Sequence, residues 1–214
     1  MSRKVLLGVM LAVSAASLTV GCGVGTLSKE ARGEQVFKTC QPCHGAIGGG
    51  NIDLRAPAIG GLPDWYVTAE LTKFKNNVRG AHPDDTEGHR MRPMARTLYH
   101  PGDLEAVAEY VSKLPKTSVA PTLHGDAAAG QRQYSSICIA CHGADAKGTQ
   151  AMNAPPLAGQ ADWYLYRQLE KFKSGMRGAH PQDITGSQMR AMSTTLVDTM
   201  SMLNVVAYIK TLSH

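Results

Sequence analysis

The chain has 214 residues, 43% of them hydrophobic and 18% charged, enough apolar material for a core in one or two globular domains. That balance excludes collagen-like, disordered and multi-span membrane proteins. The formal charge of +5 overstates its basicity, because without residues 1–21 only 20 basic residues face 17 acidic ones. Charge therefore lends little to a nucleic-acid-binding role.

Residues 1–21 read as a secretory signal peptide. Arg3 and Lys4 precede an apolar run from Val5 to Val20 that ends in small residues. The run is sixteen residues, short of the roughly 20 that a spanning helix needs. Cys22 follows in TVGC, a stretch that resembles a bacterial lipobox with Thr19 where that pattern prefers leucine. The resemblance implies a lipid on Cys22 and a membrane tether over residues 22–29. The alternative is an ordinary signal cut nearby, with Cys22 lost or idle.

A helix is expected from about Glu30 into CQPCH, followed by the Gly- and Pro-rich loop GAIGGGNIDLRAPAIGG. A second should start at Asp64, where aspartate can cap, with Leu71 and Phe74 on one face. In its Lys-Phe-Lys triplet the lysines read as a solvated face around an inward phenylalanine. GHRMRPMARTL, with Met91 and Met94, reads as a loop. The last helix carries Leu104, Val107, Ala108 and Val111 at three- and four-residue spacing. LPKTSVAPTLHGDAAAG then reads as a linker, placed at residues 115–125 between domains at 30–114 and 126–214.

The second half rewrites the first. Between the segments starting at Asp64 and Asp162, 17 of 31 positions are identical. The same shift of 98 relates His44 to His142 and Tyr110 to Tyr208. Two copies at so long a period are homologous domains rather than a solenoid. The expected fold is all-α, each domain a few helices and long loops that could wrap a large, flat, apolar cofactor.

CQPCH and CIACH supply that cofactor. In a CxxCH motif each thiol can add across a haem vinyl group, and the adjacent histidine reaches the iron from the same side. Cys40, Cys43, Cys138 and Cys141 would hold two covalent haem c groups, with His44 and His142 as proximal iron ligands; four propionates would bring the exported chain near neutrality. CxxC alone also suits a redox dithiol or half a zinc site. The sixth iron position decides the function. Candidates present in both copies are Met91/Met189, Met94/Met192 and His82/His180. His89 faces Ser187 and His100 faces Asp198, so neither is a shared answer. Bis-histidine ligation is the less favoured option, because His82 and His180 precede prolines and read as loop histidines. Spacing alone does not separate the two methionines.

With these motifs the repeat resembles class I cytochrome c, and the tandem is similar to the di-haem cytochrome c4 family from about residue 30 onward. That resemblance implies an axial methionine seven residues before a leucine, as Met91 stands to Leu98 and Met189 to Leu196. Met94 and Met192 then become packing against the haem edge. It also implies that Pro57 and Pro155 place carbonyls against the proximal histidines. Arg79/Arg177, Trp65/Trp163 and Tyr66/Tyr164 could donate to haem propionates, or the aromatics could simply pack the helix on the haem. The implied function is single-electron transport in a periplasmic respiratory chain, without catalysis. The donor would be a quinol:cytochrome c reductase-type complex and the acceptor a terminal oxidase or reductase. A fixed subunit of a larger membrane oxidoreductase and a di-haem peroxidase are the alternatives.

Overall fold

The computed structural model describes residues 27–212; the expected signal peptide and Cys22 lie outside the described residues. The first half contains α1 (Lys29–Phe37), α2 (Gln41–His44), α3 (Asp64–Lys75), α4 (Thr86–Arg96) and α5 (Asp103–Lys113). The second contains α6 (Ala127–Ile137), α7 (Ile139–His142), α8 (Asp162–Lys173), α9 (Ile184–Thr194) and α10 (Thr199–Thr211). Extended pairing among the described residues is limited to two isolated bridges, Asn51 with Ala56 and Thr149 with Ala154. The fold is all-α, in two tandem domains.

Each core is built where the first helix crosses the last, α1 on α5 and α6 on α10. Phe37, Leu98, Val107 and Val111 are buried in one core; Tyr134, Leu165, Leu196, Met202, Val205, Val206 and Ile209 are buried in the other. Phe37 leans on Tyr110 and Tyr134 on Tyr208, with ring centroids 5.4 Å apart in both pairs. Glycine permits the close crossing. A methyl group on Gly33 would strike the Ala106 carbonyl, and one on Gly130 the Asn204 carbonyl. These glycines are 97 residues apart, as are Phe37 and Tyr134, so the shift of 98 does not reach the first helix. Tyr134 takes one more residue than Phe37 to reach its CxxCH.

Three local expectations are corrected. Asp64 and Asp162 are not caps; they sit inside the first turns of α3 and α8, whose N-caps are Pro63 and Ala161. Asp162 instead accepts hydrogen bonds from the linker, from Thr122 N–H and Leu123 N–H, which pins the connection. The methionine stretch is helix, because Asp85 and Asp183 cap α4 and α9 by accepting from Gly88 N–H and Gly186 N–H at 3.0 Å. Glycine and proline make that segment look like loop, yet Pro93 is carried within α4.

The lysines of the Lys-Phe-Lys triplets are not a solvated face. Lys75 and Lys173 donate to the carbonyls of Leu98 and Leu196 in their own halves. Lys73 crosses to Asp183 at 2.8 Å, and Lys171 crosses to Asp85, the equivalent partner in the opposite direction. The two caps of the methionine helices are therefore each neutralised by the other domain's lysine.

Two outcomes follow for stability. Gly130→Ala should lower stability by about 1–3 kcal/mol, the usual cost of forced overpacking, read as a lower denaturant midpoint for the second domain. Lys171→Met should cost about 3–5 kcal/mol, because it leaves Asp85 buried without its counter-charge. That loss should appear as a lower thermal unfolding midpoint, whereas replacing the exposed Lys147 should leave the midpoint in place.

Candidate cofactor sites

Each CxxCH closes as a single helical turn, α2 or α7, ending in a glycine of positive φ, Gly45 or Gly143. The first turn delivers Cys40, Cys43 and His44 to one wall of a cavity, and the second delivers Cys138 and His142 to another. His44 and His142 are buried, and their Nδ1 atoms lie 2.8 Å and 3.0 Å from the carbonyl oxygens of Pro57 and Pro155. A carbonyl only accepts, so the ring proton resides on Nδ1 and the Nε2 lone pair is left for a metal. Burial lowers both histidine pKa values, partly offset by the proline contacts. The prolines are placed by a chain reversal: Gly50 N–H donates to the His44 carbonyl and Asn51 N–H to that of Ala56, and Gly148 and Thr149 repeat the pattern.

The first cavity is lined by Cys40, Cys43, His44, Met91 and Met94. The second is lined by Cys138, His142 and Met189. Cys141 and Met192 do not line it. Met91 and Met189 are half-buried, whereas Met94 and Met192 are 38% and 44% exposed, at or beyond the rim. His82 and His180 are outside the cavities; each Nδ1 accepts a backbone N–H, from Asp84 and Gln182 respectively. His89 and His100 are exposed.

Each cavity is completed by the opposite half. Trp163, Arg167 and Lys171 help line the first, while Trp65, Ala69 and Lys73 help line the second. Each tryptophan thus borders the cavity of the opposite half. Tyr66, Glu70, Tyr164 and Gln168 line both cavities. Glu70 was not singled out by sequence reasoning, although it is one of the few acids in the repeat without an acidic counterpart: Gln168 stands in its place.

Arg79 and Arg177 are buried and stack over Phe74 and Phe172, 4.5 Å and 4.4 Å from the ring centroids. Glu70 accepts from both guanidinium groups, at 2.8 Å from Arg177, and Gln168 does so at 3.0 Å from Arg79 and 2.8 Å from Arg177. Burial opposes the charge of Glu70, but Arg177, Arg79 and Lys73 outweigh it and hold the carboxyl well below the usual carboxylate range. The arginines are therefore held by protein partners before any propionate is considered. One donor is left over: Arg177 Nε is buried without a hydrogen-bond partner, and Arg177 lines the second cavity.

These residues fit a covalently held haem. Thiols stand beside a histidine with a free Nε2, a thioether shares each apolar cavity, and an orphaned guanidinium N–H is available to a carboxylate. A redox dithiol fits poorly, because burial raises the thiol pKa values of Cys40 and Cys138, the latter to about 11, where a reactive thiol needs the reverse. Among the described residues, no three His, Cys, Asp or Glu side chains converge as a zinc site would require.

The cytochrome c family model matches residues 30–115 and 127–213. The thiosulfate dehydrogenase electron acceptor of Stutzerimonas stutzeri (strain A1501) is 31% identical over 164 residues, 72% of this chain and 72% of that protein. The cbb3-type cytochrome c oxidase subunit CcoP of Rhodobacter capsulatus is 35% identical over 132 residues, 58% of this chain. The chain spans only 42% of that subunit. The cytochrome c4 structure from Acidithiobacillus ferrooxidans superimposes with a TM-score of 0.65 at 26% identity, over 83% of this chain and 99% of that one. Both halves match the family model, so the chain belongs to the cytochrome c family, as a tandem di-haem member whose two covalently bound haem c groups serve electron transfer.

Proposed function

We propose that this protein carries single electrons in a periplasmic respiratory chain, from a quinol:cytochrome c reductase-type complex to a terminal oxidase or reductase. Bound haem supplies the one-electron exchange between ferrous and ferric iron. The chain's own part is to close both irons. His44 and Met91 ligate the first, His142 and Met189 the second, and Cys40, Cys43, Cys138 and Cys141 form the thioethers. The carrying observation is that a histidine with a free Nε2 and a half-buried methionine meet in each of two equivalent cavities. Two strong protein ligands suit electron transfer, whereas peroxidase chemistry needs an open position. A thioether also favours ferrous iron more than imidazole does, raising the potential.

Two partner readings rest on particular likenesses. Similarity to a thiosulfate dehydrogenase electron acceptor supports a dehydrogenase as an alternative donor. Similarity to an oxidase subunit supports a fixed place in a larger membrane oxidoreductase. Among the described residues no helix is long and apolar enough to cross a membrane. A lipid on Cys22 would supply the tether in this reading.

Met91→Ala and Met189→Ala should each remove about half of the weak long-wavelength absorption of methionine-bound ferric haem, while Met94→Ala and Met192→Ala retain it. Loss with Met94→Ala alone would reverse the assignment in the first domain. The purified protein should exchange electrons without turning over peroxide. Cys22→Ser should move the protein from the membrane to the soluble periplasmic fraction, and stoichiometric copurification with membrane subunits after that change would favour the fixed-subunit reading.

A further inference from the structure

The two halves meet through reciprocal contacts, Lys73 with Asp183 and Lys171 with Asp85, and the residues there correspond through the shift of 98: Tyr66 with Tyr164, Lys73 with Lys171, Arg79 with Arg177, Asp85 with Asp183. Within this group Glu70 has no charged counterpart. It lines both cavities, lies within hydrogen-bond reach of both arginines, and is paired at 3.1 Å with Lys73. Gln168, its equivalent, receives the same two arginines through a neutral oxygen. The duplication has therefore kept the acceptor geometry at both positions and a negative charge at one.

A full charge in such a setting acts on the irons through space. Oxidation adds one positive charge to a haem, so a buried anion stabilises the oxidised form and lowers the midpoint potential. The effect is strong where low polarity limits screening. An anion present at only one of two equivalent positions also acts unequally on the two sites. We propose that Glu70 is a positioning residue for electron flow: its unmatched charge lowers both haem potentials and sets part of the difference between them, biasing the electron toward one domain. This rests on the electron-carrier reading above. Glu87, which corresponds to Thr185 in the second half, is another unmatched acid near the interface, but it pairs with Lys171 and lines the first cavity and not the second.

The protein itself supplies the conservative substitution. Gln168 already bridges both arginines, so Glu70→Gln retains an acceptor of the same shape while removing the charge. Gln168→Glu adds a charge without removing any partner, and remains informative if Glu70→Gln loosens the interface. The double variant E70Q/Q168E returns the charge to the mirrored place. The measurement is a spectroscopic redox titration of the holoprotein resolving the two midpoints, with the thermal unfolding midpoint recorded alongside.

Both midpoints should rise in Glu70→Gln and fall in Gln168→Glu. In the double variant their mean should return to the native value. The gap between them should shift away from the native one, with the Glu70→Gln gap in between. A merely structural glutamate would move the unfolding midpoint and leave the potentials alone, which would overturn the proposal. An unchanged gap in the double variant would overturn it equally. Failure of the carrier reading is separately visible in the native protein, as an absent methionine-bound ferric band before any variant is made.

Discussion

The exchange of lysines between the two halves is the contact on which the rest of the structure depends. Lys73 reaches Asp183 and Lys171 reaches Asp85, so the capping group of each methionine helix is held by the other domain. Aspartate caps of this depth need a cation close by, since an unpaired buried carboxylate is costly. Each domain thus completes the other's distal wall. The tandem arrangement is structural as well as functional, because the capping carboxylate of each methionine helix takes its counter-cation from the other half.

The same geometry joins the two cavities. Each is closed by a tryptophan from the other domain, and Tyr66, Glu70, Tyr164 and Gln168 border both. The contacts that set each proximal histidine are made within its own domain. There the histidine is set by a proline carbonyl of its own loop, which fixes the tautomer and leaves the metal-facing nitrogen free. Ligand orientation is thus a local matter, whereas the surroundings of the haem pair belong to the assembly.

Much of this was legible in the order of residues. The CxxCH spacing, the two-fold repetition and the periodicity of the last helix point to an all-α tandem with two covalent cofactors. Those signals are local: thioether attachment needs its residues within one turn, and amphipathic periodicity belongs to a single helix. The methionine segment reads as loop because Gly88 and Pro93 lower helix propensity. The cap at Asp85, held by a lysine of the opposite domain, overrides that preference. Asp64 and Asp162 look alike in sequence, yet only Asp162 clasps the linker, since the linker passes only one of the two equivalent positions.

What the sequence determined by itself is the cofactor chemistry, the number of sites and the class of fold, because each is written in contiguous residues. What only the tertiary structure decided is the relation between the halves. The buried destination of Lys73 and Lys171, the crossing of the tryptophans and the location of Glu70 beside both cavities depend on residues roughly a hundred positions apart meeting at one interface. A lysine on an amphipathic helix looks solvated until the partner surface that covers it is known. An isolated Glu-to-Gln difference between repeats looks like drift until it is found where the two sites meet.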